Sequence, residues 1–165
     1  MNFLEFLKRS HEAKYGHVLE LPEHLVALDP GETTGYAYFH NGELTEYSQL
    51  PTHRVRKSIP ILQKFIKDTT DLVVYEDYKV YGWKTESHAW ENLHTPKLIG
   101  AIEAVCYIAN TPTFTQMAQQ AKQFVTDDKL RAWGYYYEGL RHTRDAIRHG
   151  CYYMLFNHHK DPKGN

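Results

Sequence analysis

The chain has 165 residues, 42% hydrophobic and 24% charged, and a formal net charge of −1. Those values fit one globular domain with a core of its own, and give no global charge that would draw the chain to nucleic acid or to a membrane surface. No stretch approaches the roughly eighteen apolar residues of a membrane span. The N-terminal segment, with Glu5 inside it and no basic run before it, does not read as a secretory signal.

Residues 1–23 read as an extension to the main domain. Phe3, Leu4, Phe6 and Leu7 recur at near-helical spacing and predict a short amphipathic helix, packed on the domain or on a partner. The domain proper is expected over residues 24–157. It opens with the apolar run Leu25 to Leu28, which ends in Asp29 and is followed at once by Pro30-Gly31. That pattern predicts a buried strand whose last residue, the acid, stands at the rim of a sheet. A rigid rim suits a carboxylate that must hold a metal, although Asp-Pro-Gly is also ordinary turn chemistry.

Gly35 to His40, the hairpin signal Asn41-Gly42, and Glu43 to Leu50 complete three strands joined by tight turns, the middle one antiparallel to both neighbours. Val55 to Asp68 carries apolar residues at Val55, Ile59, Leu62, Phe65 and Ile66, a helical period, with Pro60 starting or kinking the helix. Leu72 to Asp77 is a second buried strand ending in acids, and its unbroken apolar run suits a central position. Tyr78 to Ser87 is an aromatic and basic loop. Ala89 to Ala109 predicts a helix with Leu93, Ile99, Ile102, Val105 and Cys106 on its apolar side. Gly100 and Ala104, four apart on it, would let another helix approach closely.

Thr111 to Met117 reads as a last strand, and Ala118 to Phe124 and Asp128 to Trp133 as short helices. Arg141 to Phe156 reads as a final helix burying Ala146, Ile147, Gly150, Cys151 and Met154. Residues 158–165 are expected to be a disordered tail. Cys106 and Cys151 fall in apolar helical patterns, as buried thiols of a reducing compartment do, so a cytoplasmic location is expected. The element order predicts an α/β domain: a mixed five-stranded sheet with helices on both faces.

Two local basic patches break the neutral balance. Arg54, Arg56, Lys57, Lys64 and Lys67 occur with no acid among them, and Arg141, Arg144 and Arg148 face Asp145 alone. Such patches can bind phosphate, and can equally be solvated helix faces. Asp29 and Glu76 each end a strand that the topology would place side by side, and two acids at one rim repel unless a cation lies between them. Mg²⁺ is the natural first choice for oxygen ligands. His142 and Asp145, three apart, share one face of the last helix. Four ligands from three elements could hold two metals about 3.5–4 Å apart, the arrangement of two-metal phosphodiester cleavage. Asp77 alternates away from Glu76. His149, on the same helix side as Asp145, suits a supporting or structural role better than ligation.

The segments Leu28-Asp29-Pro30-Gly31-Glu32-Thr33-Thr34-Gly35, Val73-Val74-Tyr75-Glu76-Asp77, Leu98-Ile99-Gly100-Ala101-Ile102-Glu103, Gln120-Ala121-Lys122 and His142-Thr143-Arg144-Asp145-Ala146 follow one another over Leu25 to Leu155. In that order they resemble the RuvC-like Holliday junction resolvases, particularly the phage-type branch, of the ribonuclease H-like superfamily. The resemblance implies a ribonuclease H-like fold and a metal-dependent endonuclease that nicks paired strands of a four-way DNA junction. It implies Asp29, Glu76, His142 and Asp145 as catalytic metal ligands, with two Mg²⁺ per site. His142 stands where many members carry an acid, a departure that makes Mn²⁺ possible.

In that scheme one metal activates the attacking water and the second stabilises the leaving 3′-oxygen. Lys122 resembles the basic residue near the scissile phosphate. Tyr81 and Trp83 could stack on an unpaired base at the crossover. Arg54, Arg56, Lys57, Arg141 and Arg144 are candidate phosphate contacts. The two-fold symmetry of the task implies a homodimer, with the helix over Ala89 to Ala109 as its interface, no nucleotide cofactor and no membrane. Phage genome processing in the host cytoplasm is what the nearest look-alikes imply. The alternatives are a related nuclease acting on flaps, forks or RNA–DNA hybrids, and a non-catalytic junction-binding protein. An actin-like or sugar-kinase ATPase shares the strand-Asp-Gly-Thr-Gly loop but needs two such domains.

Overall fold

A computed structural model describes residues 1–16, 19–78 and 93–160. Among the described residues, five strands form one sheet: β1 (His24–Asp29), β2 (Thr33–His40), β3 (Glu43–Pro51), β4 (Leu72–Glu76) and β5 (Thr113–Gln116). The spatial order is β3-β2-β1-β4-β5. β2 is antiparallel to β1 and to β3, whereas β4 is parallel to both β1 and β5. The mixed sheet with three antiparallel leading strands is the one the element order predicts. Between β2 and β3, Asn41 (φ 51°) and Gly42 (φ 84°) both take left-handed backbone, the turn that matches the twist of a two-residue hairpin.

Helices cover both faces: α1 (Phe3–Tyr15), α2 (Val55–Phe65), α3 (His94–Ile108), α4 (Ala118–Phe124), α5 (Asp127–Trp133) and α6 (Arg141–Phe156). Side chains alternate across a strand, so β1 serves two cores. Leu25 and Ala27 point to one face, where Ala37, Phe39, Leu72 and Val74 meet Ala146, Ile147, Cys151 and Met154 of α6. Val26 and Leu28 point to the other, against Leu62, Leu98, Ile102 and Cys106 from the α2 and α3 side. Each fully buried Val, Leu, Ile, Phe or Met among them is worth about 1.5–3 kcal/mol. In α1, Phe3 and Leu7 are buried in the α6-side core, and the Phe3 ring meets Trp133 edge-on at 5.0 Å. No helix of the described residues is long and apolar enough to cross a membrane.

Several boundaries and faces differ from the periodicity. α2 ends at Phe65 and runs through Pro60, whose ring lies on the exposed side, so the helix neither starts nor stops there. Ile59 is exposed because Ser58 and Leu62 take the inner positions. α3 is described from His94 onward, and Leu93 before it is exposed. α5 begins at Asp127, with the Thr126 hydroxyl accepting the Lys129 N–H. Of the expected tail, residues 158–160 are described, and His158 packs its ring 5.0 Å from that of His11.

Candidate metal centre and phosphate groove

The site begins with strand register. Leu28 of β1 pairs with Tyr75 of the parallel β4, so Asp29 and Glu76, one residue further along each strand, leave the sheet together at the same rim. The turn after Asp29 is tied down. Thr52 Oγ1 donates to the Gly31 carbonyl (2.6 Å), the Thr52 N–H donates to the Glu32 carbonyl (2.7 Å), and the hydroxyls of Thr34 and Thr52 lie 2.7 Å apart. Asp29 is thereby held, nearly buried, on rigid backbone.

α6 lies over this rim because β2 carries a glycine where the helix crosses. A Cβ on Gly35 would sit 1.9 Å from the His142 carbonyl oxygen, inside any contact distance, so only glycine admits this approach. Gly35 is also the register partner of Asp29. The first turn of α6 is therefore seated beside the acid, and His142 Nδ1 lies 2.8 Å from Asp29 Oδ2. Two turns on, the fully buried His149 has Nε2 3.3 Å from Glu76 Oε2. Gln116, at the end of β5, lies against the other ring nitrogen. With its amide nitrogen toward the ring it donates to His149 Nδ1 (3.2 Å) while its oxygen accepts the Tyr153 N–H (3.3 Å). In the metal-free site that orientation leaves His149 Nε2–H to donate to Glu76; ligation through Nε2 requires that proton to leave and the Gln116 amide to turn its oxygen toward Nδ1–H.

The electrostatics follow from crowding. Burial, then the charges of Glu76 and Asp145, push the Asp29 carboxyl up to about 8, against the opposing pull of His149 and Lys122. Burial acts on Glu76 in the same sense, but the hydrogen bond and charge of His149, with Lys122, outweigh it and hold Glu76 below the usual carboxylate value. The two acids divide one proton unevenly, as closely set carboxylates do. Asp145 faces cations: Lys122 Nζ is 3.1 Å from one oxygen, and Arg148 bonds the other while also reaching Asp127 and the Val125 carbonyl.

Asp29, Glu76 and His149 each offer a ligand atom within 4.8 Å of the other two. Two carboxylates and an imidazole on three different elements form a donor set that fits a divalent cation, and the raised Asp29 shows the charge a cation would neutralise. This differs from the sequence expectation in two respects. His149 joins the donors, whereas the sequence favoured a supporting role for it. Asp145 is turned to Lys122 and Arg148, and His142 reaches the cluster through its bond to Asp29. The signal for His149 was present: His142, Asp145 and His149 repeat at three and four residues along one helix face. Only the packing of α6 on β4 and β5 shows where that face points.

The basic candidates fall on two sides of the rim. Lys122, Arg141, Arg144 and Arg148 line an open hollow of about 540 Å³ beside Asp145, with Thr126, Asp127 and Asp128. Arg144 is anchored there by donating to the Tyr137 carbonyl (2.7 Å) and lying over the Tyr136 ring. Arg54, Arg56 and Lys57 are exposed at the start of α2, directly after the Thr52 that pins the turn beyond Asp29. Tyr81 and Trp83 lie outside the described residues. A larger hollow of about 850 Å³, lined by α1, residues 19–21 and Asn41, lies away from Asp29, Glu76 and Asp145.

No family model matches the chain, and no curated protein matches it. Among solved structures, the chain is similar to Thermus thermophilus RuvC in complex with a Holliday junction substrate, at 15% identity and a TM-score of 0.59, covering 81% of this chain and 93% of that one. A second Thermus thermophilus RuvC structure gives 15% identity and a TM-score of 0.60, covering 81% and 94%. The likeness establishes the ribonuclease H-like fold that the resemblance of the sequence implied.

Proposed function

We propose that the chain is a metal-dependent endonuclease that resolves four-way DNA junctions by paired nicks. The observation that carries this reading is the meeting of Asp29 and Glu76 at one rim of the sheet, where burial first, and the charge of Glu76 after it, push the Asp29 carboxyl up to about 8. Such a pair is unfavourable unless a cation relieves it. The RuvC fold, one of whose structures holds a Holliday junction, supports the choice of substrate.

Asp29, Glu76 and His149 would hold a divalent cation, with Mg²⁺ or Mn²⁺ the fitting ions. His142 Nε2 and Asp145 would complete the ligand set for a second ion, with Asp145 giving up Lys122 and keeping Arg148. Bound cations supply charge neutralisation and Lewis acidity at the scissile phosphate. The chain's own residues do the rest. His142 Nδ1 fixes the Asp29 carboxylate and leaves Nε2 as its free nitrogen, so the ring can act only through that atom. Lys122 Nζ, half exposed beside Asp145, exchanges that carboxylate for a phosphate oxygen and stabilises the charge that develops there. Arg141 and Arg144 carry the flanking backbone through the hollow, and Arg54, Arg56 and Lys57 take a second phosphate run, positioning DNA without reading its sequence.

Two cuts need two sites. Gly100, Ala104, Tyr107 and Ile108 form an exposed face of α3, with nothing within 4 Å of a Cβ placed on Gly100 and with Tyr107 and Ile108 73% and 77% exposed. That face supports a homodimer in which the two α3 helices cross closely. Purified protein with Mg²⁺ or Mn²⁺ should nick a synthetic four-way junction, and Asp29→Asn should bind the junction without cutting it. Equal cutting by the Asn variant would refute the site. Binding without any cutting by the unmodified chain would identify a junction-binding protein, and a preference for flaps, forks or hybrids in the same assay would reassign the substrate.

A further inference from the structure

A second cluster of metal-binding side chains lies at the opposite end of β1. Glu23, His24 and His40 each offer a ligand atom within 4.8 Å of the other two. The two histidines are register partners across β1 and β2, and their rings stack with centroids 4.9 Å apart. Glu23 Oε1 is 3.3 Å from His40 Nε2 and 3.6 Å from His24 Nε2. Ligands bonded to zinc at about 2.0–2.1 Å in a tetrahedron are separated by about 3.3 Å, so these gaps need little adjustment.

We propose that Glu23, His24 and His40 form a binding site for a late first-row divalent cation such as zinc, separate from the acid rim. Three features favour a ligand over a chance surface cluster. The Tyr38 hydroxyl is 2.6 Å from His24 Nδ1, the outer hydrogen bond that fixes a ligating imidazole and reserves Nε2 for metal. The Asn41 N–H donates to the Glu23 carbonyl (2.8 Å) and the His24 N–H donates to Asp71 Oδ2 (2.8 Å), so the backbone under all three ligands is held by the sheet. Two imidazoles with one carboxylate also select zinc and its neighbours over magnesium. The fourth position is left to water.

His24 and Asp29 stand at opposite ends of a six-residue strand, about 17 Å apart at strand rise, so this cation takes no part in the chemistry at the rim. It clamps the segment entering the sheet from α1 onto the β1–β2 pair, and stabilises the folded chain because the unfolded chain lacks the site.

The test uses the 165-residue chain carrying Asp29→Asn and Glu76→Gln, which disables the acid rim as a competing site. Equilibrium dialysis should then find one zinc per chain. Saturating zinc should raise Tm by about 5 °C or more. Adding His40→Gln should abolish both effects, and Tyr38→Phe should weaken zinc affinity about tenfold. His40→Gln alone, in the otherwise unmodified chain, should leave junction nicking unchanged, which separates this site from the nuclease reading. If the doubly substituted chain does not fold, NMR of the unmodified chain reads the same site through zinc-dependent shifts of the His24 and His40 ring signals. Zinc binding that is absent, or equally strong after His40→Gln, would overturn the proposal.

Discussion

His142 Nδ1 lies 2.8 Å from Asp29 Oδ2 although 113 positions separate the two in the chain, and the contact exists because Gly35 has no side chain. The glycine pairs with Asp29 in the sheet and lets the first turn of α6 rest on β2. One missing methyl group thus sets the distance between the strand acid and the helix that serves it.

Gly35→Ala should test that dependence directly. The added Cβ would meet the His142 carbonyl carbon at 2.2 Å and the Thr143 nitrogen at 2.8 Å, all backbone, so the helix itself must shift. Overpacking of this kind costs about 1–3 kcal/mol. A displacement near 1 Å at the rim should lower nicking about 100-fold. Thermal melts and junction assays on the same preparation read both effects, and unaltered nicking would show that α6 does not set the geometry.

The protonation of Asp29 should make stability of the metal-free protein fall as pH rises. Its folded carboxyl is raised from 3.8 to about 8, so its contribution is fully present below pH 4 and is lost as pH climbs through 8. Asp29→Asn, which cannot ionise, should therefore match the unmodified protein in Tm near pH 4 and exceed it near pH 9. Metal binding must displace that proton, so Mg²⁺ or Mn²⁺ affinity should rise with pH up to about 8. Calorimetry in buffers of different ionisation enthalpy should detect the released proton. A pH-independent difference in Tm between the two proteins would contradict the buried, protonated acid.

Lys122 and Arg148 both bond Asp145, yet their removal should differ in kind. The Arg148 side chain is 11% exposed and also holds the half-exposed Asp127 and the Val125 carbonyl, so Arg148→Met takes the donor from the buried Asp145 Oδ1 and from the Val125 carbonyl. Breaking a buried pair this way costs about 3–5 kcal/mol, visible as a lower denaturation midpoint. The Lys122 side chain is 42% exposed, and Lys122→Ala should hardly move stability while lowering nicking about 100-fold with junction binding largely kept. Lys122→Arg should recover part of the rate. A stability loss without a rate loss in Lys122→Ala would make that lysine a structural partner of Asp145.

A dimer through α3 should be sensitive to charge on its exposed face. Ile108→Glu places a carboxylate where the side chain is 77% exposed in the single chain, so the fold should be untouched. Sedimentation should report dimer for the unmodified protein and monomer for the variant. The variant should cut one strand of a junction and lose the paired second cut. A monomeric unmodified chain that still cuts in pairs would remove α3 as the interface.

The sequence by itself determined the element order and the sheet. Apolar runs ending in turn residues mark β1 and β4, Asn41-Gly42 fixes the first hairpin, and the stripe Ala146, Ile147, Gly150, Cys151 and Met154 gives α6 its buried face. Those signals are local, because periodicity and turn chemistry act over a few residues. The strand-end positions of Asp29 and Glu76 were legible for the same reason. Tertiary structure alone decided what the long-range contacts are: that Gly35 receives α6, that His149 rather than Asp145 lies against Glu76, and that Asp145 is turned to Lys122 and Arg148. It also decided that Ile59 faces solvent and that Gly100 and Ala104 stay uncovered by the described chain. No spacing encodes these facts, since each depends on where a distant element comes to rest against the sheet.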